Sequence, residues 1–255
     1  MWITGASGGI GEGIALAASR RGARLVLSAR RLAELHRVRL RCVHAENVAV
    51  LPFDLAEFDA AGVATAAAEF FGPIDVLVNN AGISQRSLVL ETDMEVYRRI
   101  MQVDFFAAVA LIKAVLPEMA RRGAGHIATI SSVVGKVATP LRSGYAAAKH
   151  ALHGFHDALR AEVHGQGVKV TVICPGFVHT EVSRNAVTGS GAPHGRMDAG
   201  QATGMDPRLC GERIVRAIMS DRSEAYIGGK EIHMIGLKRL APSLIERIVR
   251  EAVVA

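Results

Sequence analysis

Hydrophobic positions along the chain fall into two alternating rhythms. Short, β-branched apolar runs at RLVLSA (24–29), NVAVLPF (47–53), IDVLVN (74–79), HIATIS (126–131) and VKVTVIC (168–174) read as strands. Between and after them, stretches near 9–21, 31–44, 57–71, 94–121, 143–164 and 207–220 carry the three-to-four-residue spacing of helices. The strand runs are nearly continuous rather than alternating, so both faces should be covered, as in a parallel sheet between helices. The pattern predicts an α/β, doubly wound (Rossmann) three-layer fold around a central parallel sheet of about seven strands, as one domain over 1–255. Only Met1, Trp2 and Ile3 precede Thr4, so the first strand should be unusually short.

Two segments stand outside this rhythm. Residues 183–206 follow the sixth strand and are rich in Gly, with Ser and Asn among them. A structureless stretch of that length is functional or disordered, and a substrate lid over the site is the expectation. Near the C-terminus, Leu244, Ile245, Ile248, Val249 and Ala252 form a stripe opposite Glu246, Arg247, Arg250 and Glu251, predicting an amphipathic helix over about 241–253. Its apolar side suits core or subunit packing, with contact to a membrane surface or cover for a substrate as the alternative.

Composition narrows the classes. With 255 residues, 50% hydrophobic and a mean hydropathy of +0.25, the chain can bury a large core. Cys42, Cys174 and Cys210 are scattered, which suits a reducing compartment. No secretory signal pattern and no run of about 18 apolar residues is present, so a cytoplasmic location is expected. The net charge of +6 raises the question of nucleic acid, and eight arginines fall between Arg20 and Arg41. Yet the chain has 24 Arg against 6 Lys, a bias that a GC-rich genome produces unaided, and no aromatic-interleaved basic stripe accompanies it, so no nucleic-acid partner is expected. His150, His153, His156 and His164 crowd one helix without an i, i+4 pair, and no metal is expected.

The chemistry begins in TGASGGIG, where Gly5, Gly9 and Gly11 stand as an apolar stub gives way to a helix-forming run, with Ser7 and Ile10 between them. Glycines there let a pyrophosphate approach the free amides at a helix N-terminus. The second strand ends in Arg30 and Arg31, where dinucleotide folds commonly place an acid on the adenosine ribose. Cations suit a 2′-phosphate instead, which favours NADP(H), with Arg30 first and Arg31 next. Asp54, followed by Leu55, ends the third strand and could hold the adenine amino group. NNAG (79–82) sets Asn80 and the small, flat Ala81-Gly82 backbone where an adenosine would lie.

Tyr145 and Lys149 stand four apart at the start of a helical run, hence on one face, with Ser132 just past the fifth strand. A phenol has an ordinary pKa of about 10, and an adjacent ammonium favours its ionised form. Tyr145 could then exchange a proton with a carbinol or carbonyl oxygen, Ser132 could donate a hydrogen bond to that oxygen, and Lys149 could also hold a nicotinamide ribose. A redox-inactive, NADP-binding regulator is the alternative, but it would have lost the tyrosine or lysine.

Together TGASGGIG, NNAG, Ser132, YAAAK and CPGFVHT (174–180) make the chain resemble the short-chain dehydrogenase/reductase family, in its single-domain branch, from Thr4 to about Ile235. A narrower likeness, in GKVATPLRSGYAAAKHALHGFHDALRAE and PGFVHTEVSRNAV, is to the branch of 11β-hydroxysteroid dehydrogenase-like and acyl-dihydroxyacetone-phosphate reductase-like members. The resemblance implies an NADP(H)-dependent oxidoreductase acting between a secondary alcohol and a ketone or aldehyde, hydrophobic or lipid-like, and working as a homodimer or homotetramer. It implies Pro175 and Gly176 beside the nicotinamide, with Val178 and Thr180 on its carboxamide. Two departures stand out. Asp104 occupies the place where the family carries an Asn in the proton relay, and several more apolar residues would be expected before Thr4, which points to a shifted start or a shortened chain.

Overall fold

A computed structural model describes residues 1–251. Strands and helices alternate from the start: β1 (Trp2–Thr4), α1 (Gly9–Ser19), β2 (Leu25–Ser28), α2 (Leu32–Arg41), β3 (Val48–Val50), α3 (Ala60–Phe71) and β4 (Val76–Asn79). A long rod follows, α4 (Met94–Met101) and α5 (Ala107–Arg122), joined by a π-helical turn over Gln102–Phe106. The second half runs β5 (Gly125–Ile130), α6 (Ser143–Glu162), β6 (Val168–Pro175), a short α7 (Ala199–Ala202), α8 (Pro207–Met219), β7 (Glu224–Ile227), α9 (His233–Leu240) and α10 (Pro242–Glu251).

The seven strands form one sheet in the order β3-β2-β1-β4-β5-β6-β7, every pair parallel. Strand order reverses between β1 and β4, which opens a crevice beyond their C-terminal ends where such folds take ligands. β1 has only three residues but lies between two partners, with Trp2 opposite Val26 and Leu77 and Ile3 opposite Leu27 and Val78. Trp2 Nε1 donates to Ser28 Oγ at 2.9 Å and Val26 N–H donates to Met1 O at 2.9 Å, so side-chain and backbone bonds supplement the short ladder.

Both faces of the sheet are covered, as the continuous apolar runs require. Ile3 faces a core built with Ile14 of α1, Leu35 of α2 and Ile214 of α8. Trp2 points the other way, into a core with Ala67 of α3, Leu111 and Ile112 of α5 and Leu159 of α6. α1 and α8 meet almost backbone to backbone: a Cβ on Gly13 would fall 2.1 Å from Pro207 O, so only glycine fits there. The rod Met94–Arg122 has 29 residues, and its most apolar 18-residue stretch, with a mean hydropathy of 1.7, is long and apolar enough to cross a membrane, but Leu111, Ile112, Val115 and Met119 are buried within this fold.

The segment 183–206 contains only α7 as regular structure, yet it is tied down. Arg86 N–H donates to Val187 O and Val187 N–H to Ser84 O, both at 2.8 Å, while Ser183, Ala186 and Asp198 are buried. In the C-terminal helix Ile245 is buried, whereas Leu244 and Ile248 are exposed; Ala252 and the rest of the expected helix to 253 lie outside the described residues.

Candidate active site

Beyond the C-terminal ends of the strands lies a cavity of about 350 Å³, and a smaller one of about 130 Å³ adjoins it at the β2 and β3 ends. The glycine turn borders the larger cavity through Gly5, Ser7, Gly9 and Ile10. Gly5 and Gly9 take positive φ of 64° and 55°, a region that only glycine enters without strain. Gly11 lines neither cavity; it sits beneath the turn, where a Cβ would fall 2.3 Å from Gly5 O.

NNAG braces this turn. Asn80 Nδ2 donates to Thr4 O at 3.0 Å and to Gly5 O at 3.2 Å, and the backbone N–H groups of Asn80 and Ala81 donate to Thr4 Oγ1. The Asn80 side chain is thus committed to the turn as well as bordering the larger cavity, while Ala81 borders the smaller one. Arg30, Asp54 and Leu55 also line the smaller cavity, with Arg30 Nη1 3.9 Å from Asp54 Oδ2. Arg31 turns to the larger cavity, where its Nη2 donates to Ser7 Oγ at 3.3 Å. The two arginines therefore stand on opposite sides of the β2 end.

Ser132, Tyr145 and Lys149 face the same cavity. Ser132 follows β5 and accepts the Val134 N–H on its Oγ at 3.2 Å, which fixes the hydroxyl at the mouth of a short turn. Tyr145 and Lys149 lie one turn apart on α6, whose first-turn Gly144 N–H is held by Gln85 Oε1 at 2.7 Å. Lys149 is almost wholly buried: its Nζ is 3.1 Å from Ile130 O, 3.2 Å from Asp104 Oδ2 and 5.5 Å from the centre of the Tyr145 ring.

Asp104 sits on the π-helical turn, sealed behind Gly82 and Lys149 rather than on the cavity surface. Its Oδ1 accepts the Ile83 N–H at 2.8 Å, and a Cβ on Gly82 would fall 2.8 Å from its Oδ2, so the glycine makes room for the ion pair. Burial pushes the Asp104 carboxyl upward, opposed by the Lys149 ammonium and the Ile83 N–H. Burial works against the Lys149 charge too, but the Asp104 carboxylate and the negative charge of an ionised Tyr145 outweigh it, and Lys149 stands above the ordinary lysine value. The two groups titrate as a pair.

Pro175, Gly176, Val178 and Thr180 complete the near wall. Thr180 approaches the glycine turn so closely that a Cβ on Gly9 would meet its Cγ2 at 3.0 Å. Glu231, absent from the sequence expectations, also borders the cavity; its Oε1 accepts the N–H groups of Phe177 at 3.0 Å and Gly229 at 2.9 Å.

Sequence reasoning also missed the charged far wall. Arg86 and Arg142 border the cavity and share the buried carboxylate of Asp198: Arg86 bonds it through Nε, at 3.0 Å to Oδ2, and through Nη2, while Arg142 Nη2 lies 2.8 Å from the same oxygen. Two guanidinium groups against one carboxylate leave an excess positive charge. Burial, then Arg86, holds Arg142 below the usual arginine range. In an arginine-rich chain nothing in the spacing of positions 86, 142 and 198 signals that they meet.

A sequence profile of the family described as short chain dehydrogenase matches residues 1–190. Among curated proteins, a dehydrogenase/reductase SDR family protein 7-like of Drosophila melanogaster is 42% identical over 249 residues, covering 95% of this chain and 76% of that one. Dehydrogenase/reductase SDR family member 7B of Bos taurus is 40% identical over 97% of this chain and 79% of its own. Among solved structures, a short-chain dehydrogenase from Streptomyces avermitilis superimposes with a TM-score of 0.83 at 28% identity, over 98% of this chain and 97% of that one. An alcohol dehydrogenase from Thermococcus sibiricus complexed with 5-hydroxy-NADP gives 0.75 at 26% identity, over 90% and 96%.

Proposed function

The chain belongs to the short-chain dehydrogenase/reductase family, whose members are oxidoreductases using a nicotinamide cofactor, and from that premise we propose that it is an NADP(H)-dependent carbonyl reductase, reversible as an alcohol dehydrogenase. One observation carries the reading: the glycine turn, Ser132, Tyr145 and Lys149 open onto a single cavity with Pro175, Gly176, Val178 and Thr180. The residues fit a dinucleotide, because the turn is kept free of side chains where Gly9 meets Thr180 and Gly11 meets Gly5 O.

Gly5, Ser7, Gly9 and Ile10 would hold the pyrophosphate at the α1 N-terminus, where free amides and the helix dipole favour anions. Arg31 with Ser7 on one side of the β2 end, and Arg30 on the other, would bracket a 2′-phosphate. Asp54, Leu55 and Ala81 would enclose the adenine, and Pro175, Gly176, Val178 and Thr180 the nicotinamide. The bound nicotinamide supplies or accepts the hydride.

The chain's own side chains handle the proton. Tyr145 Oη gives a proton to the carbonyl oxygen in reduction and takes it back in oxidation. Lys149, held charged by Asp104, stabilises the phenolate and is placed to bond the nicotinamide ribose. Ser132 Oγ donates to the same substrate oxygen. Val133, Val134, Val137, Phe177, Val182 and Met234 make much of the remaining wall apolar, which supports a hydrophobic or lipid-like substrate. Exposed Phe70, Met94 and Phe106 support a homo-oligomer, which light scattering would test.

Initial rates on a panel of hydrophobic ketones and aldehydes, each with NADPH and with NADH, test the assignment. Turnover should be faster with NADPH, and a preference for NADH would overturn the cofactor reading.

A further inference from the structure

Behind the cavity wall, three side chains converge that the reaction does not use. His153 lies one turn beyond Lys149 on α6, Cys174 is the next-to-last residue of β6, and Glu224 opens β7. One donor atom from each lies within 4.8 Å of the others. Cys174 Sγ is 3.7 Å from both His153 Nε2 and Glu224 Oε1, and His153 Nδ1 is 3.2 Å from that same oxygen. A tetrahedral zinc with bonds of about 2.3 Å to sulfur and about 2.0–2.2 Å to nitrogen and oxygen has edges of about 3.3–3.7 Å, so the three donor atoms, within 4.8 Å of one another, would close the site by drawing together as the imidazole turns to present one ring nitrogen to both partners.

We propose that His153, Cys174 and Glu224 form a binding site for a transition-metal cation of the Zn²⁺ class, with a fourth position open to water. Thiolate and imidazole donors select such ions over Mg²⁺ and Ca²⁺, which take oxygen ligands. The surroundings supply the supporting contacts. Ser131 Oγ stands 3.0 Å from His153 Nε2, so Nδ1 can ligate while Nε2–H donates to the serine, and Tyr226 Oη donates to Glu224 Oε2 at 2.9 Å.

A cation already occupies the electrostatic position of the metal: Lys136 Nζ is 2.8 Å from Glu224 Oε1. The side chains of Lys136 and Glu224 are 28% and 30% exposed, so the ammonium can swing into solvent and the metal can enter by the carboxylate. Cys174 and His153 are buried beneath it. As the metal–sulfur bond forms the Cys174 S–H bond breaks and its proton leaves to solvent, one per metal bound. Occupancy would join α6, β6 and β7 directly behind Pro175 and Gly176, and would release Lys136 from the end of the turn that carries Val133 and Val134.

Cobalt reports such a site without reference to any substrate, so its outcome is separate from the reductase assignment. The full-length reduced protein, stripped of metal and then of chelator, would be titrated with Co²⁺ and followed by absorption. The expected result is a thiolate-to-cobalt charge-transfer band saturating at about one equivalent and bleached by Zn²⁺. Cys174→Ser should abolish the band. Glu224→Gln, a milder change at the exposed edge, should weaken binding by at least the about tenfold typical of a lost outer-shell partner; circular dichroism checks that both variants are folded. No band in the wild type with excess cobalt overturns the proposal. So does a band that survives Cys174→Ser, since it would belong to Cys42 or Cys210, and so does unchanged affinity in folded Glu224→Gln.

Discussion

Replacing Asp104 by Asn removes one negative charge from the most enclosed part of the site and leaves its shape nearly unchanged. The carboxylate faces Lys149 Nζ at 3.2 Å, and both side chains are almost sealed from water. At an effective dielectric constant of about 20 the pair attracts by about 5 kcal/mol. Withdrawing the two ions from water costs several kcal/mol each. The net worth of the pair is therefore small, and its effect should appear in protonation rather than in binding. In the wild type the carboxylate raises Lys149 against the opposing effect of burial. In Asp104→Asn only the Tyr145 phenolate still opposes burial, and Lys149 loses its proton at lower pH. Alcohol oxidation should fall as Lys149 is neutralised, so the alkaline limb of the profile should move to lower pH. The maximum should stay within about tenfold of wild type, about 1.4 kcal/mol in barrier, because the amide oxygen still accepts the Ile83 N–H. The assay is kcat/KM for alcohol oxidation with NADP⁺ across pH. An unchanged profile, or one shifted to higher pH, would refute the claim that Asp104 acts on the charge of Lys149.

Arg31→Ala should lose a charge-assisted bond of about 1.5–3 kcal/mol and weaken NADPH about tenfold or more while sparing NADH, as should Arg30→Ala; calorimetric titration checks this, and equal losses for both cofactors would contradict it. Gly11→Ala forces a methyl against Gly5 O, so the urea midpoint should fall by the equivalent of about 1–3 kcal/mol and NADPH binding should fall with it; normal binding would show that the turn tolerates a side chain. Asp198→Ala strands two buried guanidinium groups and should cost about 3–5 kcal/mol. Limited proteolysis of that variant should cut first within 183–206, and a cleavage pattern identical to wild type would mean that the ion cluster does not fasten the segment.

The sheet was legible because both its faces are buried: continuous apolar runs marked β2 through β6 to within a few residues. β7 was not marked, since EAYI is short and carries a charged residue, Glu224, whose partners Lys136 and His153 come from elsewhere in the chain. The start of α8 came out at its cap, Asp206, whose side chain accepts amide hydrogens of that helix, whereas α3 begins three residues later than expected, at Ala60 after its cap Asp59. The glycine turn and the Ser132, Tyr145 and Lys149 set were readable because their chemistry depends on local spacing. The Arg86, Asp198 and Arg142 cluster and the His153, Cys174 and Glu224 cluster were not, because each draws its members from three separate parts of the chain. The buried position of Asp104 behind Gly82 was likewise set by tertiary packing, and the sequence carried only its identity.

The proton-transfer role of Tyr145 is the centre of the account, and Tyr145→Phe tests it most directly, with NADPH affinity and NADPH-dependent carbonyl reduction measured on the same preparation. Loss of the hydroxyl should leave NADPH binding near wild type and lower kcat by about 10²–10⁴, the usual worth of general acid–base help. Turnover in Tyr145→Phe within a few-fold of wild type, with cofactor still bound, would contradict it.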